Sequence, residues 1–250
     1  MRKQTAAIAI AAVGILVAGC DSSNGGGAAS SSTTTTTTPS KPPLAQGALL
    51  NLMLTPPEID SAVGANGTTV ADKSDTLPDD SNSPYPQGYK FPAECLYIQH
   101  PGEATVYAGS GNTASHGERD TTPLPPGSND PDPEVTQVVV LFPSAKEANA
   151  FFTASTQRWP ACANRQGTIP GDADAPEMQW KAGAVSNANG VLSTTTTVSA
   201  TKNGTTLSQS CQRALTVRNN VVIDVDACRK DPGDLAVTVA NQIAGKVDKQ

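Results

Sequence analysis

Aromatic side chains are scarce in this chain, at 4% of 250 residues, and hydrophobic residues make up only 37%. With 21 Gly and 20 Pro beside them, a large share of the chain is expected in loops and linkers rather than in a thick core. Histidine is scarcer still: His100 and His116 are the two, both in loop-like Pro/Gly surroundings where a solvated imidazole is the ordinary case. No Gly-x-Ser-x-Gly elbow occurs, and Gly109-Ser110-Gly111 lacks the strand-turn-helix context that would activate a serine. There is no His-Glu-x-x-His and no Cys-x-x-Cys, which removes the common zinc patterns. Gly64–Thr69 has no lysine and so is no phosphate loop. Basic charge is also short. Setting aside Arg2 and Lys3 of the leader leaves 15 basic against 23 acidic side chains, a net −8. That sign argues against electrostatic binding to nucleic acid or to anionic lipid.

What is present begins with the leader. Arg2-Lys3 is a charged n-region and Thr5–Val17 an apolar h-region too short to span a bilayer. It ends in Leu16-Val17-Ala18-Gly19-Cys20, which resembles the lipobox of bacterial lipoproteins. That resemblance implies cleavage after residue 19, diacylglycerol on the Cys20 thiol, and a lipid anchor at the outer face of the cell membrane. Residues 20–43, rich in Gly, Ser and Thr, cannot bury apolar surface and are expected to form a disordered tether. The folded domain should occupy 44–250.

Four cysteines then remain, an even number in an exported protein, which predicts two disulfides. Asn219-Asn220 is placed to form a two-residue type I′ turn. In such a hairpin the numbers of facing residues add to a constant 439, that of Arg218 and Val221. Cys211 and Cys228 satisfy it at a non-hydrogen-bonded pair, close enough for a bridge. Arg213 falls opposite Asp226 in the same register, an opposite-charge pair. Cys95 and Cys162 are left for the second bridge.

Periodicity supplies the other elements. Leu49, Leu50, Met53 and Leu54 have helical spacing, and Thr55-Pro56-Pro57-Glu58 opens a new helix that Gly64 ends. Val135–Phe142 is apolar almost throughout, as a central strand is. Ser144-Ala145-Lys146-Glu147 opens a helix to about Trp159, with Ala148, Phe151, Phe152, Ser155 and Trp159 on one face. Three turn signals, Asn189-Gly190, Asn203-Gly204 and Asn219-Asn220, cut 178–228 into a four-stranded antiparallel meander. Asp231–Asp234 starts a last helix with Leu235, Val239, Ile243 and Val247 on its buried stripe. Residues 65–94 and 101–134 read as long irregular loops, and Cys95–Ile98 as a short strand. The class is α+β, a meander sheet with helices packed on it in two layers. Two acidic clusters, Asp130/Asp132/Glu134 and Asp172/Asp174/Glu177, lack the spacing and glycine of an EF-hand and read as solvated loops. No metal or cofactor is expected.

Several motifs together carry a family resemblance: Leu-Met-Leu-Thr-Pro-x-Glu-Ile (52–59), Val-Val-Leu-Phe-Pro-Ser-Ala (139–145), Phe-Phe-x-x-Ser-x-x-x-Trp-x-x-Cys-Ala (151–163), Cys-Gln-Arg-Ala (211–214) and Arg-Asn-Asn-Val-Val-Ile-Asp-Val-x-Ala-Cys (218–228). The chain resembles the PknH-like extracellular sensor domain of mycobacteria over about 44–247. The resemblance implies an α+β domain with two disulfides and a cleft for an unidentified ligand, with no catalytic residues to transfer. Unlike the kinase of that family, this chain is expected to have no transmembrane helix and no cytoplasmic part.

The function expected is a non-enzymatic, lipid-anchored sensor-like domain that binds a small molecule or envelope component. A cell-envelope hydrolase acting on glycan or lipid through His100 or His116, and a structural envelope protein, are the alternatives. The cleft is expected between the uncovered face of the meander and the two long loops. That face carries Leu215, Val217 and Val222 beside Arg213, Asp224 and Asp226, the mixture a small-molecule pocket needs. Trp180 is a further candidate wall.

Overall fold

The structure, a computed structural model, describes residues 41–250 apart from 80–85, 129, 174 and 203. The leader, Cys20 and residues 20–40 of the tether lie outside the described residues, as do Asn203 and Asp174. Among the described residues no helix is long and apolar enough to cross a membrane.

The strands are β1 (Thr69–Ser74), β2 (Ala114–Thr121), β3 (Glu134–Leu141), β4 (Gln166–Ile169), β5 (Met178–Ala182), β6 (Ser186–Ala188), β7 (Val191–Lys202), β8 (Thr205–Arg218) and β9 (Val221–Arg229). They form one antiparallel sheet in the spatial order β1-β2-β3-β9-β8-β7-β5-β4, with β6 also paired to β7. The near-continuous apolar run of β3 is central, as its composition predicts, and lies between β2 and β9. The β8–β9 register is the expected one: Arg218 faces Val221, Cys211 faces Cys228, and Arg213 faces Asp226. The Cys211–Cys228 and Cys95–Cys162 disulfides are both formed, with Cα separations of 3.9 and 4.9 Å.

Helices lie on both faces. The 3-10 helix Gln46–Leu52, α1 (Pro56–Val63) and α5 (Leu235–Val247) cover one face, where Val135, Val139, Val221, Ile223 and Val225 meet the α5 stripe Leu235, Val239, Ile243 and Val247. On α1 the capping box is present: the Glu58 carboxylate accepts from the Thr55 N–H at 2.7 Å, and Gly64 ends the helix at φ 75°. On the opposite face α2 (Leu96–Gln99), α3 (Ala104–Tyr107) and α4 (Ala145–Arg158) enclose a second core around Trp159, Tyr107, Phe142, Leu215 and Val222. Two layers were expected; three are present.

Other differences have identifiable causes. Residues 65–94 contain β1 and residues 101–134 contain α3 and β2, where irregular loops were expected. Both strands are rich in polar residues of low strand propensity and exist because β2 pairs with β3 and β1 pairs with β2, a tertiary effect. Residues 96–99 are helical rather than extended, following a 3-10 turn at Ala93–Cys95 that seats Cys95 for its bridge. Leu50 is 61% exposed, because its segment winds as a 3-10 helix and turns Leu49 and Leu52 inward instead. The first meander strand divides into β5 and β6, joined through Gly183 whose N–H bonds to Thr195 O.

The final turn departs from type I′, since of its two central residues only Asn219 has positive φ, at 50°. Asn220 is buried instead. Its amide donates to the Phe142 and Leu44 carbonyls at 2.8 and 3.0 Å and accepts from the Leu44 N–H at 2.7 Å. Truncating Asn220→Ala strips buried backbone groups of their partners and should cost about 2–4 kcal/mol. Asn219→Gly, at a backbone angle glycine prefers, should stay within about 1 kcal/mol of the parent. Urea denaturation of the two variants measures the contrast.

Candidate functional site

The second face of the sheet is built on an ion pair. Arg213 of β8 and Asp224 of β9 stand two residues apart across the ladder and are both nearly free of solvent, at 3% and 0% exposure. The guanidinium donates through Nε to Oδ1 at 2.6 Å and through Nη2 to Oδ2 at 2.7 Å. Oδ2 also accepts from the Tyr107 hydroxyl and the Gly102 N–H, each at 2.9 Å. The opposite-charge partner of Arg213 is therefore the diagonal Asp224 and not Asp226, which it faces in register; a bidentate fork is satisfied better there. The Trp159 ring lies under the guanidinium, 5.6 Å from its carbon. Gly102 adopts φ +71°, and a Cβ there would stand 2.9 Å from Val138. Only glycine lets the 101–107 segment approach the sheet closely enough to reach Asp224. Burial first, and then the Asp224 charge, hold the Tyr107 hydroxyl well above its usual pKa.

Beside this anchor lies a cavity of about 500 Å³. Its floor is the sheet, from β1 across to β7, and its walls include Leu77, Pro78, Phe91, Gln99, His100 and Pro101. It thus lies between the meander face and parts of the two stretches read as loops. Of the sequence-predicted site residues Asp226 lines it, together with the Cys211–Cys228 bridge. Arg213, Leu215, Val222 and Asp224 are buried in the second core, and Val217 packs partly buried against it. Trp180 is also core: its indole donates to the Tyr89 hydroxyl at 2.7 Å and lies on Gly167, where a Cβ would stand 2.7 Å from the ring nitrogen.

Missed in the sequence are the cavity groups from β1, β2 and β3, among them Lys73, Arg119, Thr136 and Val138. A weak signal for the strand existed: His116, Glu118 and Asp120 alternate on the face of β2 turned away from the cavity, as strand residues do.

The charges are mostly paired. Lys73 meets Glu118 at 2.8 Å and Arg119 meets Glu134 at 3.0 Å. Asp226, 8% exposed, has Sγ of Cys228 at 3.4 Å as its one side-chain neighbour within bonding distance among the described residues. A disulfide sulfur has no proton to give. Burial is the main cause that raises the Asp226 carboxyl to about 7; Asp224 and Glu134 push the same way, against Arg213. The two sulfurs and the carboxylate lie within 4.8 Å of one another, but the bridge leaves no thiolate for a metal. Two hydroxyls, of Thr194 and Thr196, and the Gln99 amide nitrogen are buried without a partner among the described residues, and Thr196 and Gln99 line the cavity.

His116 lies on the other face, with ring nitrogens 2.7 Å from Asp75 and 3.3 Å from Glu118. Its side chain is 5% exposed, so a substrate has little access to it. Asp120 nearby is raised to about 6 by burial, with Gln137 Nε2 donating to it at 2.7 Å.

Residues 44–246 match the family of PknH-like extracellular domains. The serine/threonine-protein kinases PknH of Mycobacterium bovis and of Mycobacterium tuberculosis H37Rv are each 32% identical over 208 residues. That stretch is 83% of this chain but 32% and 30% of the kinases, so the chain spans about a third of their length. The crystal structure of the extracellular domain of PknH from Mycobacterium tuberculosis superposes with a TM-score of 0.67 at 27% identity, covering 84% of this chain and 99% of that one.

The two neighbouring aspartates should behave oppositely. Asp224→Asn leaves Arg213 buried without its counter-charge and should destabilise by about 3–5 kcal/mol. Asp226 titrates near 4 when unfolded and near 7 when folded, so the native state holds its proton more tightly between those values. Stability is therefore lost as pH rises through that window, and the penalty is complete above it. Asp226→Asn should be more stable than the parent at pH 8, by roughly 2–4 kcal/mol, and nearly equal to it below pH 4. Denaturation curves across pH test both.

Proposed function

The chain belongs to the family of PknH-like extracellular domains, and from that membership we propose that it is a sensor-like, ligand-binding domain of the cell envelope. It works outside the cytoplasm, tied to the cell membrane through a lipid on Cys20 and the tether of residues 20–43. Membership supports the extracytoplasmic setting, as do two disulfides, which persist in oxidising compartments. The lipobox-like run before Cys20 supports the anchor.

The observation that carries ligand binding is the cavity. Apolar walls from Leu77, Phe91, Val138 and Val198 surround a few polar groups whose hydrogen-bonding capacity the protein leaves unused. That combination is what a small-molecule site requires. The occupant is a small molecule or envelope component. The domain is non-enzymatic in this reading: a histidine clamped by two carboxylates and nearly shut off from solvent is poorly placed as a base.

Two measurements test the proposal. Cys20→Ala should accumulate in unprocessed form and move from the detergent phase to the aqueous phase; unchanged partitioning would remove the anchor. Protein purified gently from its native envelope should carry small molecules that mass spectrometry detects. Val198→Trp, which fills the cavity, should lose them while keeping the parent circular dichroism spectrum. Equal retention by that variant would place binding elsewhere.

A further inference from the structure

Resting on the cavity reading above, we propose that the occupant is an amphiphile bearing a protonated amine, its ammonium seated on Asp226 against the Cys211–Cys228 bridge and its apolar body along Leu77, Phe91 and Val138.

The inference follows from which charges are already satisfied. Each nearby cation has an internal partner: Lys73 has Glu118, Arg119 has Glu134, and Arg213 has both oxygens of Asp224. Two carboxyls facing the cavity have no cation within 4 Å among the described residues: Asp226 on the floor and the exposed Asp72 at the rim. Arg213 Nη1 is buried without a hydrogen-bond partner among the described residues, but Arg213 does not line the cavity, so an anionic ligand there would meet two uncompensated acids.

The floor is rich in acceptors. Thr136 is the β3 neighbour of Asp226 across the β3–β9 ladder. Thr196 faces Cys211 across the β7–β8 ladder, and its buried hydroxyl has no partner among the described residues. A carboxylate and two hydroxyl oxygens around a sulfur bridge match the three N–H donors of an ammonium. The unpartnered Gln99 amide nitrogen supplies the complementary donor on the wall for a carbonyl or hydroxyl further along the ligand.

Burial makes the interaction strong, because a lone carboxylate in this place is poorly solvated and gains most from a counter-ion. It also makes it dependent on pH. Charged groups facing or adjoining Asp226 are Arg213 and Asp224 from the strands beneath, Glu134 with its partner Arg119, and across the cavity Asp72 and His100, while Lys73 and Glu118 border it with side chains that pair beside His116 on the other face. An arriving cation requires Asp226 to release its proton, so affinity rises as pH passes through about 7.

Three probes of one chain length separate the possibilities: n-octylamine, n-octanol and n-octanoate, titrated calorimetrically into the intact protein at pH 6 and pH 8. Octylamine should bind tightest of the three, with affinity about tenfold higher at pH 8 than at pH 6, in proportion to ionised Asp226. Asp226→Asn should abolish both the amine preference and that pH dependence while leaving octanol binding unchanged. Pairing with octanol keeps the variant informative, since a misfolded protein would lose both probes, and folding is checked independently by denaturation. Non-specific attraction of the amine to an acidic surface would survive the substitution, and that result would overturn the proposal. So would octanoate or octanol binding at least as well as the amine, an outcome that leaves the cavity as a site and removes only its preference. If none of the three binds, both the preference and the cavity reading fall.

Discussion

A guanidinium and a carboxylate buried together in the middle of a sheet constrain everything around them. Arg213 and Asp224 leave water only because two forked bonds, the Tyr107 hydroxyl and the Gly102 N–H satisfy the carboxylate from above and beside. Those last two donors lie on a segment that contains little regular structure, and the pair is what pulls it onto the sheet. The Cys95–Cys162 bridge holds the neighbouring α2 region to the end of α4. With the segment fixed at these points, the space between it and the sheet becomes a cavity. The same pair sets the chemistry of that cavity, because an arginine committed to Asp224 is unavailable to Asp226. Two aspartates two residues apart on one strand face are thereby made unlike: one is forked onto a guanidinium, the other is raised to about 7 by burial.

Much of the architecture was readable from local signals. Register in the last hairpin followed from an asparagine pair and two coincidences of spacing, because a side-chain period of two allows no half measures. A capping box placed the start of α1 and the N-cap Ser144 that of α4, and β3 declared itself by being apolar on both faces. Less readable were β1 and β2, whose polar residues are held in strands by their neighbours. The sidedness of the layers was also hidden. Val217, Leu215 and Val222 alternating with charges look like an amphipathic, water-facing surface, yet a second core closes over them. Nothing in the strand itself distinguishes a charge that meets solvent from one that meets another buried charge; the partner decides, and the partner is distant in sequence.

Polar side chains of the sheet also fasten the helical layer in a way that composition conceals. Gln137 accepts from the Leu54 N–H at 2.8 Å and donates to the Leu54 carbonyl at 3.2 Å, fixing the junction before α1. Gln212 accepts from the N–H groups of Ala236 and Val237 at 2.9 and 3.3 Å, serving the first turn of α5, whose own Asp234 makes no side-chain cap. Asn220 does the same for the entry at Leu44. An amide offers a donor and an acceptor on one group, which suits it to a backbone unit whose N–H and C=O are both orphaned. Hydrophobic packing sets how far the helices stand from the sheet, and these amides set where along it they stop.

The Asn220 clamp bears on the order in which the molecule assembles. Leu44 is 176 positions from the side chain that holds it, and the Met53 carbonyl is 193 positions from the Lys246 ammonium that reaches it. The β7–β8–β9 meander, by contrast, closes through short loops. Entropy favours such near contacts early and leaves distant ones until later. A chain emerging N-terminus first would therefore expose residues 44–54 from the start and dock them last, once α5 has been made. Residues 44–54 are thus the final piece to close, and the helical face cannot be sealed until α5 has arrived.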